Sequence, residues 1–151
     1  MHVPAKVDYG VRAMLTLAEL GEPVTSETLA SAQRLPLRFL AAILVDLRRA
    51  GLVLNQRGLA GGYSLARPAH EISVADVIRA LNGPLAEIRG QRPEAASYDG
   101  AAVHLQAVWV AVQASLRTVL ESVSLADVVA GDLPQTIVRL TMDPDAWTPG
   151  P

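Results

Sequence analysis

Apolar residues recur at helical spacing along the first fifty positions, and each run ends at a breaker. Val7, Val11, Met14 and Ala18 follow one another at steps of four, three and four, with Leu15 and Leu17 widening the stripe, until Gly21 and Pro23 interrupt it. This predicts an amphipathic helix over about residues 3–20. Thr25 or Ser26 can accept an orphaned first-turn N–H and so cap a short helix that carries Leu29 and Ala30 and ends near Ala32. Pro36, whose missing N–H costs nothing in a first turn, opens a third helix over about residues 36–50, stopped by Gly51. Its stripe is Leu37, Leu40, Leu44 and Leu47. At about 100° per residue, Arg38, Ala42, Val45 and Arg49 fall within about 60° of one another on roughly the opposite side. One face is built for burial and the other presents arginine.

Residues 52–56 and 63–66 are short extended runs separated by Arg57-Gly58-Leu59-Ala60-Gly61-Gly62, the signature of a β-hairpin. Three helices and then a hairpin, with only a few residues between the second and third helices, is the element order of a winged helix-turn-helix. Ser73 with Asp76 three residues on predicts a capping box for a helix carrying Val74, Val77, Ile78 and Leu81, which Asn82-Gly83-Pro84 ends. Residues 83–100 lack clear periodicity, and a connection of that length is usually functional or disordered. From Ala101 to about Val123 the pattern is helical again. Leu105, Trp109, Val112, Leu116, Val119 and Val123 form a seam, and the predicted rod is ~33 Å long. Ser124 and Asp127 cap a short helix that stops near Gly131. The tail, with Pro134, Pro144, Pro149 and Pro151, holds one candidate strand over residues 136–141 and is expected to be mobile.

The expected fold class is therefore mainly α with a small β-hairpin wing. Residues 1–82 form a winged helix-turn-helix DNA-binding domain and 83–100 a linker or effector loop. Residues 101–131 supply a long dimerisation helix and a short helix, and 132–151 a tail.

Charge sharpens this partition. The whole chain carries 13 Lys plus Arg against 15 Asp plus Glu, a formal charge of -2. Residues 1–68, however, hold eight basic side chains against five acids, and the remainder five against ten, so basic and acidic work is divided between segments. Half of the residues are hydrophobic, as expected of a globular chain. No run approaches the ~20 apolar residues that span a bilayer, and the N-terminus lacks an apolar signal core, so the expectation is a cytoplasmic protein with no membrane partner. The absence of cysteine excludes disulfides, zinc fingers, cysteine-ligated iron–sulfur clusters and thiol catalysis. His2, His70 and His104 lie in separate elements with no nucleophile motif nearby, which leaves no catalytic constellation. No enzyme activity is expected.

Several ordered blocks resemble the Rrf2 type of bacterial transcriptional regulator, over about residues 4–130. They are KVDYGVRAML from Lys6, FLAAILVDLRRAGLV from Phe39, RGLAGGYSLARP from Arg57, ISVADVIRALNGPL from Ile72, and SLAD from Ser124. The resemblance implies a homodimer whose winged helices bind a palindromic operator in double-stranded DNA, while the long helix packs on its counterpart. Many members also hold an iron–sulfur cluster, through cysteines that would fall at about residues 85–103. Here Gln91, Arg92, Pro93, Ser97 and Tyr98 populate that segment, and no cofactor is expected.

Each candidate site has a plainer rival. The arginine face of the third helix could be an ordinary solvated face. As a recognition helix it would instead place Arg38 near base edges or phosphates, with Gln33, Arg34, Arg48 and Arg49 mostly on phosphates. Gly58, Gly61 and Gly62 could merely relieve a tight turn, or they could let a side-chain-poor wing approach the backbone while Arg57 enters a minor groove. The Leu105, Trp109, Val112, Leu116 and Val119 seam could be an intramolecular core, or the dimerisation surface. His104 beside Glu94 and Asp99 is a helix-start residue before it is a metal ligand. The main expectation is a homodimeric DNA-binding regulator, a repressor more than an activator, tuned by an unidentified small-molecule effector. The alternatives are a small-molecule or metal sensor, or a protein-interaction module, built on a winged helix that no longer binds DNA.

Overall fold

The computed structural model describes all residues, 1–151. Helix α1 (Ala5–Leu20) runs from Pro4 to Gly21, which takes the left-handed conformation at φ 65°. Helix α2 (Ser26–Gln33) is capped by the Thr25 hydroxyl, which accepts from Thr28 N–H at 3.2 Å. After a three-residue turn comes α3 (Leu37–Arg49). Strands β1 (Val53–Gln56) and β2 (Gly62–Leu65) pair antiparallel, Val53 opposite Leu65 and Gln56 opposite Gly62. Helix α4 (Val74–Asn82) follows, then α5 (Leu105–Leu120), α6 (Leu125–Ala130) and α7 (Gln135–Met142).

Met14, Leu17, Leu29, Leu40, Ile43, Leu44, Leu47, Val53, Ile72, Val77 and Leu125 are fully buried in one core where α1, α2, α3, β1, α4 and α6 meet. Gly10 lets α1 approach closely, since a Cβ there would sit 2.1 Å from Leu81 Cδ1. The stripe expected on α3 changes at one position. Leu37, in the first turn, is 44% exposed, and Ile43 takes the buried place instead. The first residue of the helix lies beyond the edge of the core, so the three-and-four spacing overran it.

Both expected capping boxes form. Ser73 Oγ accepts from Asp76 N–H and Asp76 from Ser73 N–H, and Ser124 and Asp127 repeat the exchange. The two boxes lie against each other, because Val74 N–H donates to Val123 O and Leu125 N–H to Ile72 O, both at 2.9 Å. Thus α6 returns to the N-terminal half and seals its core with Leu125.

The second half departs from expectation in two places. The long helix is shorter than the predicted 101–123. Gly100, at φ 59°, begins a single 3₁₀ turn (Gly100–Ala102), and α5 proper covers 16 residues, ~24 Å instead of ~33 Å. Val123 is apolar because it is buried in the turn between the capping boxes, not because the helix continues to it. The candidate strand over 136–141 is the helix α7, entered from Pro134. Its β-branched residues suggested a strand, but β1 and β2 form a two-stranded sheet and no third strand pairs with them. A helix satisfies its own backbone groups where a lone strand cannot. Thr136, Ile137 and Val138 of α7 are half-buried, and Trp147 Nε1 donates to Thr141 O at 2.7 Å.

Residues 83–100 hold no α-helix or strand and only one complete 3₁₀ turn, Pro93–Ala95. Ile88 and Gln91 exchange backbone hydrogen bonds across a turn with Arg89 and Gly90 at positive φ, and Pro93 and Ala96 are buried. No single helix in the chain is long and apolar enough to cross a membrane.

Candidate nucleic-acid interface

The turn between α2 and α3 is built around a strained cation. Arg34 ends α2 with φ 53° and ψ 47°, a conformation that favours glycine or asparagine, while Leu35 N–H reaches back to Ala30 O at 2.8 Å. The side chain is exposed and has no acidic partner. Such strain at a surface position points to a use for the side chain. Replacing Arg34 by Gly is expected to raise stability, by about 0.5–1 kcal/mol, while lowering affinity for DNA. Thermal unfolding and a binding titration on the same variant would show whether the two move in opposite directions.

Gln33 has a second commitment. Its Oε1 accepts from Arg12 Nε at 3.4 Å and its backbone oxygen accepts from the same guanidinium. Arg12 also pairs with Asp8 at 3.2 Å and lies over the Tyr9 ring, so it ties α1 to the end of α2. The carboxamide NH₂ of Gln33 is what remains for an outside acceptor.

On α3 the buried arc is Leu40, Ile43, Leu44 and Leu47, and every other residue except the half-buried Asp46 is exposed. Asp46 is held by Lys6 at 2.7 Å, and the hydrogen bond and charge of that ammonium hold its carboxyl below the usual range. Arg49 approaches the same carboxylate only at 4.0 Å, and Arg38 and Arg48 have no acidic partner. The wing adds Arg57, also exposed and unpaired, next to Gly58 at φ 104°.

The hairpin is fixed to the body by its backbone. Val24 N–H donates to Tyr63 O at 2.9 Å, and Tyr63 N–H to Val24 O at 2.7 Å. This brings Val24 so close to Gly62 that a Cβ there would lie 2.6 Å from its carbonyl, and Gly62 also has φ 143°. Gly61 closes the wing turn, where a Cβ would sit 2.4 Å from Gln56 O. Of the three wing glycines singled out from sequence, Gly62 is therefore the one that seats the wing against Val24. Gly62→Ala is expected to destabilise by about 2–3 kcal/mol. In a chain of this size that is a fall in melting temperature of roughly 5–10 °C, readable by calorimetry.

Helices α4 and α5 are clasped by charge. Arg79 of α4 pairs with Glu121, which also accepts from Arg117 Nε at 3.2 Å. The hydrogen bond from Arg79, then that from Arg117, holds the Glu121 carboxyl below its ordinary range. The clasp therefore contributes stability above the ordinary glutamate range and loses it as pH falls through the lowered value. Beside it a cleft of about 400 Å³ is lined by Arg79, Arg92, Arg117, Glu94 and Gln113. A more apolar cavity of about 270 Å³ lies between the N-terminus, α4, residues 84–88 and α5, with Val7, Ile78, Leu85, Trp109, Val112 and Leu116 on its walls. Trp109 Nε1 is buried and finds no partner in the protein.

The α5 seam is thus partly turned onto its own chain. Leu105, Trp109, Leu116 and Val119 are half-buried, and Val112 is exposed. The helix has no fully buried residue, and its exposed side carries Ala107, Val108, Ala111, Ala114, Ser115 and Thr118. His104 stands at the N-terminus of α5, and Glu94 is turned toward Gln113 at 3.2 Å. No three His, Asp or Glu side chains converge anywhere in the chain.

Three helices with a turn of three residues between the last two, and a hairpin seated beside the last, define a winged helix-turn-helix protein of the DNA-binding regulator class. The sequence model of the Rrf2 family, described as an iron-dependent transcriptional regulator, matches residues 3–131, and the chain belongs to that family. An HTH-type transcriptional regulator of Mycobacterium tuberculosis is 46% identical over 145 residues, covering 95% of this chain and 90% of the relative. The HTH-type regulator CymR of Bacillus subtilis is 30% identical, over 86% of this chain and 91% of its own. Among solved structures, the global cysteine regulator CymR of B. subtilis superposes with a TM-score of 0.75 at 27% identity, covering 87% of this chain and 98% of that one. IscR of T. potens gives 0.68 at 33% identity, covering 100% and 94%. These relatives are transcriptional regulators, not enzymes. The cysteine-ligated cluster carried by many members does not fit this chain, because residues 83–103 offer no thiolate and the chain has none elsewhere.

Proposed function

We propose that the chain acts as a homodimer on a palindromic operator, in the cytoplasm, and represses by occupying promoter DNA. The observation that carries this reading is the set of exposed arginines, Arg34, Arg38, Arg48 and Arg57, left without acidic partners along the turn, recognition helix and wing. Unpaired guanidinium groups on one surface release counterions from a phosphate backbone, and their planar forks match phosphate and guanine. In this arrangement α3 enters the major groove, Arg48, Arg49 and Gln33 hold phosphates, and Gly58 and Gly61 bring the wing backbone close while Arg57 reaches the minor groove.

Dimerisation is assigned to α5. The only charged side chain within its 16 residues is Arg117, and its exposed alanines allow two helix backbones to approach closely. Val112 and Val119, on the margin nearest that exposed side, form the larger apolar flank of the interface, while the half-buried Leu105, Trp109 and Leu116 of the same seam turn toward their own chain. An effector is assigned to the cleft and cavity between α4 and α5, because they join the DNA-reading body to the dimer helix. A ligand there changes operator affinity only if it binds the two arrangements unequally.

Selection of bound fragments from the host's genomic DNA, followed by a salt titration on the best site, tests this function. The expected result is an enriched inverted repeat and a steep fall of log K with log salt. A flat salt dependence with no enriched repeat refutes it.

A further inference from the structure

The face that α3 offers is unusually poor in hydrogen-bonding groups. Its first nine residues present Leu37, Arg38, Phe39, Ala41, Ala42 and Val45 to solvent. Phe39 is 64% exposed and Val45 40%, although neither is charged or polar. At about 100° per residue, Ala41, Val45, Arg38 and Ala42 occupy the middle of the exposed arc, with Leu37 on one margin and Phe39 on the other. Arg48 and Arg49 follow in the last turn, where a recognition helix meets the backbone more than the bases.

Each base edge in the major groove demands a particular partner. Cytosine N4 needs a carboxylate or hydroxyl acceptor, and adenine pairs best with the carboxamide of Asn or Gln. Guanine O6 and N7 take a guanidinium, and the thymine methyl takes an apolar surface. The middle of this arc has no acid, no carboxamide and no hydroxyl. Within the first nine residues it has one guanidinium set among methyl and isopropyl groups, Arg49 sharing the arc only in the last turn.

We propose that α3 reads each half-site as a guanine gripped by Arg38 and set among thymine methyl groups, which Ala41, Ala42 and Val45 cover, while Phe39 packs on the groove wall. The inference rests on the DNA-binding function proposed above and adds the base chemistry. It explains why large apolar side chains stand in water on the free protein: they are desolvated only against a surface that is itself partly methyl. Sequence preference arises chiefly from one hydrogen-bonded base pair and from methyl contacts, so thymine-to-cytosine changes at the methyl positions weaken binding by removing the methyl group and setting an unpaired N4 amino group against an apolar surface.

The test uses the full chain and an operator obtained by selection from a random duplex library. The selected half-sites should contain a guanine with thymines beside it. Replacing those thymines by deoxyuridine, which removes only the methyl group, should lower affinity about threefold to fivefold per contacted position. Arg38→Ala should lower affinity between about fivefold and 150-fold and erase the preference at the guanine position alone. Unchanged affinity for the uracil operator, or an Arg38→Ala variant that keeps every base preference, overturns the inference while leaving DNA binding intact. That outcome would assign the apolar face of α3 to a protein partner. Failure of the wild-type chain to bind any duplex in a salt-dependent way would refute the proposed function itself, and this inference with it.

Discussion

Exchanging Arg34, Arg48 and Arg49 together for Gln should reduce the dependence of log K on log salt by about 2.7 units per subunit, about 5.4 for the dimer, since each lost phosphate contact removes roughly 0.9. Affinity at moderate salt should fall on the order of a hundredfold, and equally for operator and random duplex, because phosphate contacts carry register but no sequence information. The three side chains are exposed, and only Arg49 lies near an acid, Asp46, at 4.0 Å. The fold should therefore survive, and an unchanged melting curve would attribute the loss to binding. A variant that keeps the wild-type slope would remove these arginines from the interface. The contrast with Arg38→Ala is informative: one change flattens the salt response, and the other removes the choice of base at one position.

Placing two acids on the exposed side of α5, as in Ala111→Glu with Ala114→Glu, should convert a dimer to a monomer by sedimentation or light scattering. Neither residue is covered in the single chain, so secondary structure and the α1–α4 core should be unaffected. Across a two-fold axis the introduced carboxylates would face their own copies, and like charges at close range repel. Operator affinity should then drop by about 10²-fold or more, because each reading head binds alone without the high effective concentration supplied by its twin. A species that remains dimeric with full affinity would move the interface away from this face.

Much of the N-terminal half was legible because its rules are local. Breakers such as Gly21 and Gly51 mark helix ends, and Ser73 with Asp76 and Ser124 with Asp127 fix two helix starts through bonds three residues apart. The arginine face of α3 followed from the position of its leucines. What failed depended on distant partners. The Arg12 to Gln33 tie spans 21 positions, and the clash that makes Gly62 obligatory is with Val24, in the connection between α1 and α2. Val123 extended the α5 seam on paper, although its apolar character serves the turn that brings α6 home. The tail segment misled through β-branched composition, which says what suits a sheet but not whether a neighbouring strand exists.

The return of α6 has a practical consequence for cutting the chain. Leu125 plugs the body that α1 to α4 build, and the backbone bonds between residues 72–74 and 123–125 stitch the plug in place. A fragment that keeps α4 but stops short of Ser124 would leave that body uncorked, with Ile72, whose carbonyl accepts from Leu125 N–H, opened to water. The DNA-reading head cannot then be excised as an autonomous piece by following the chain from its start, since its last stone is set by residues that come after the rod.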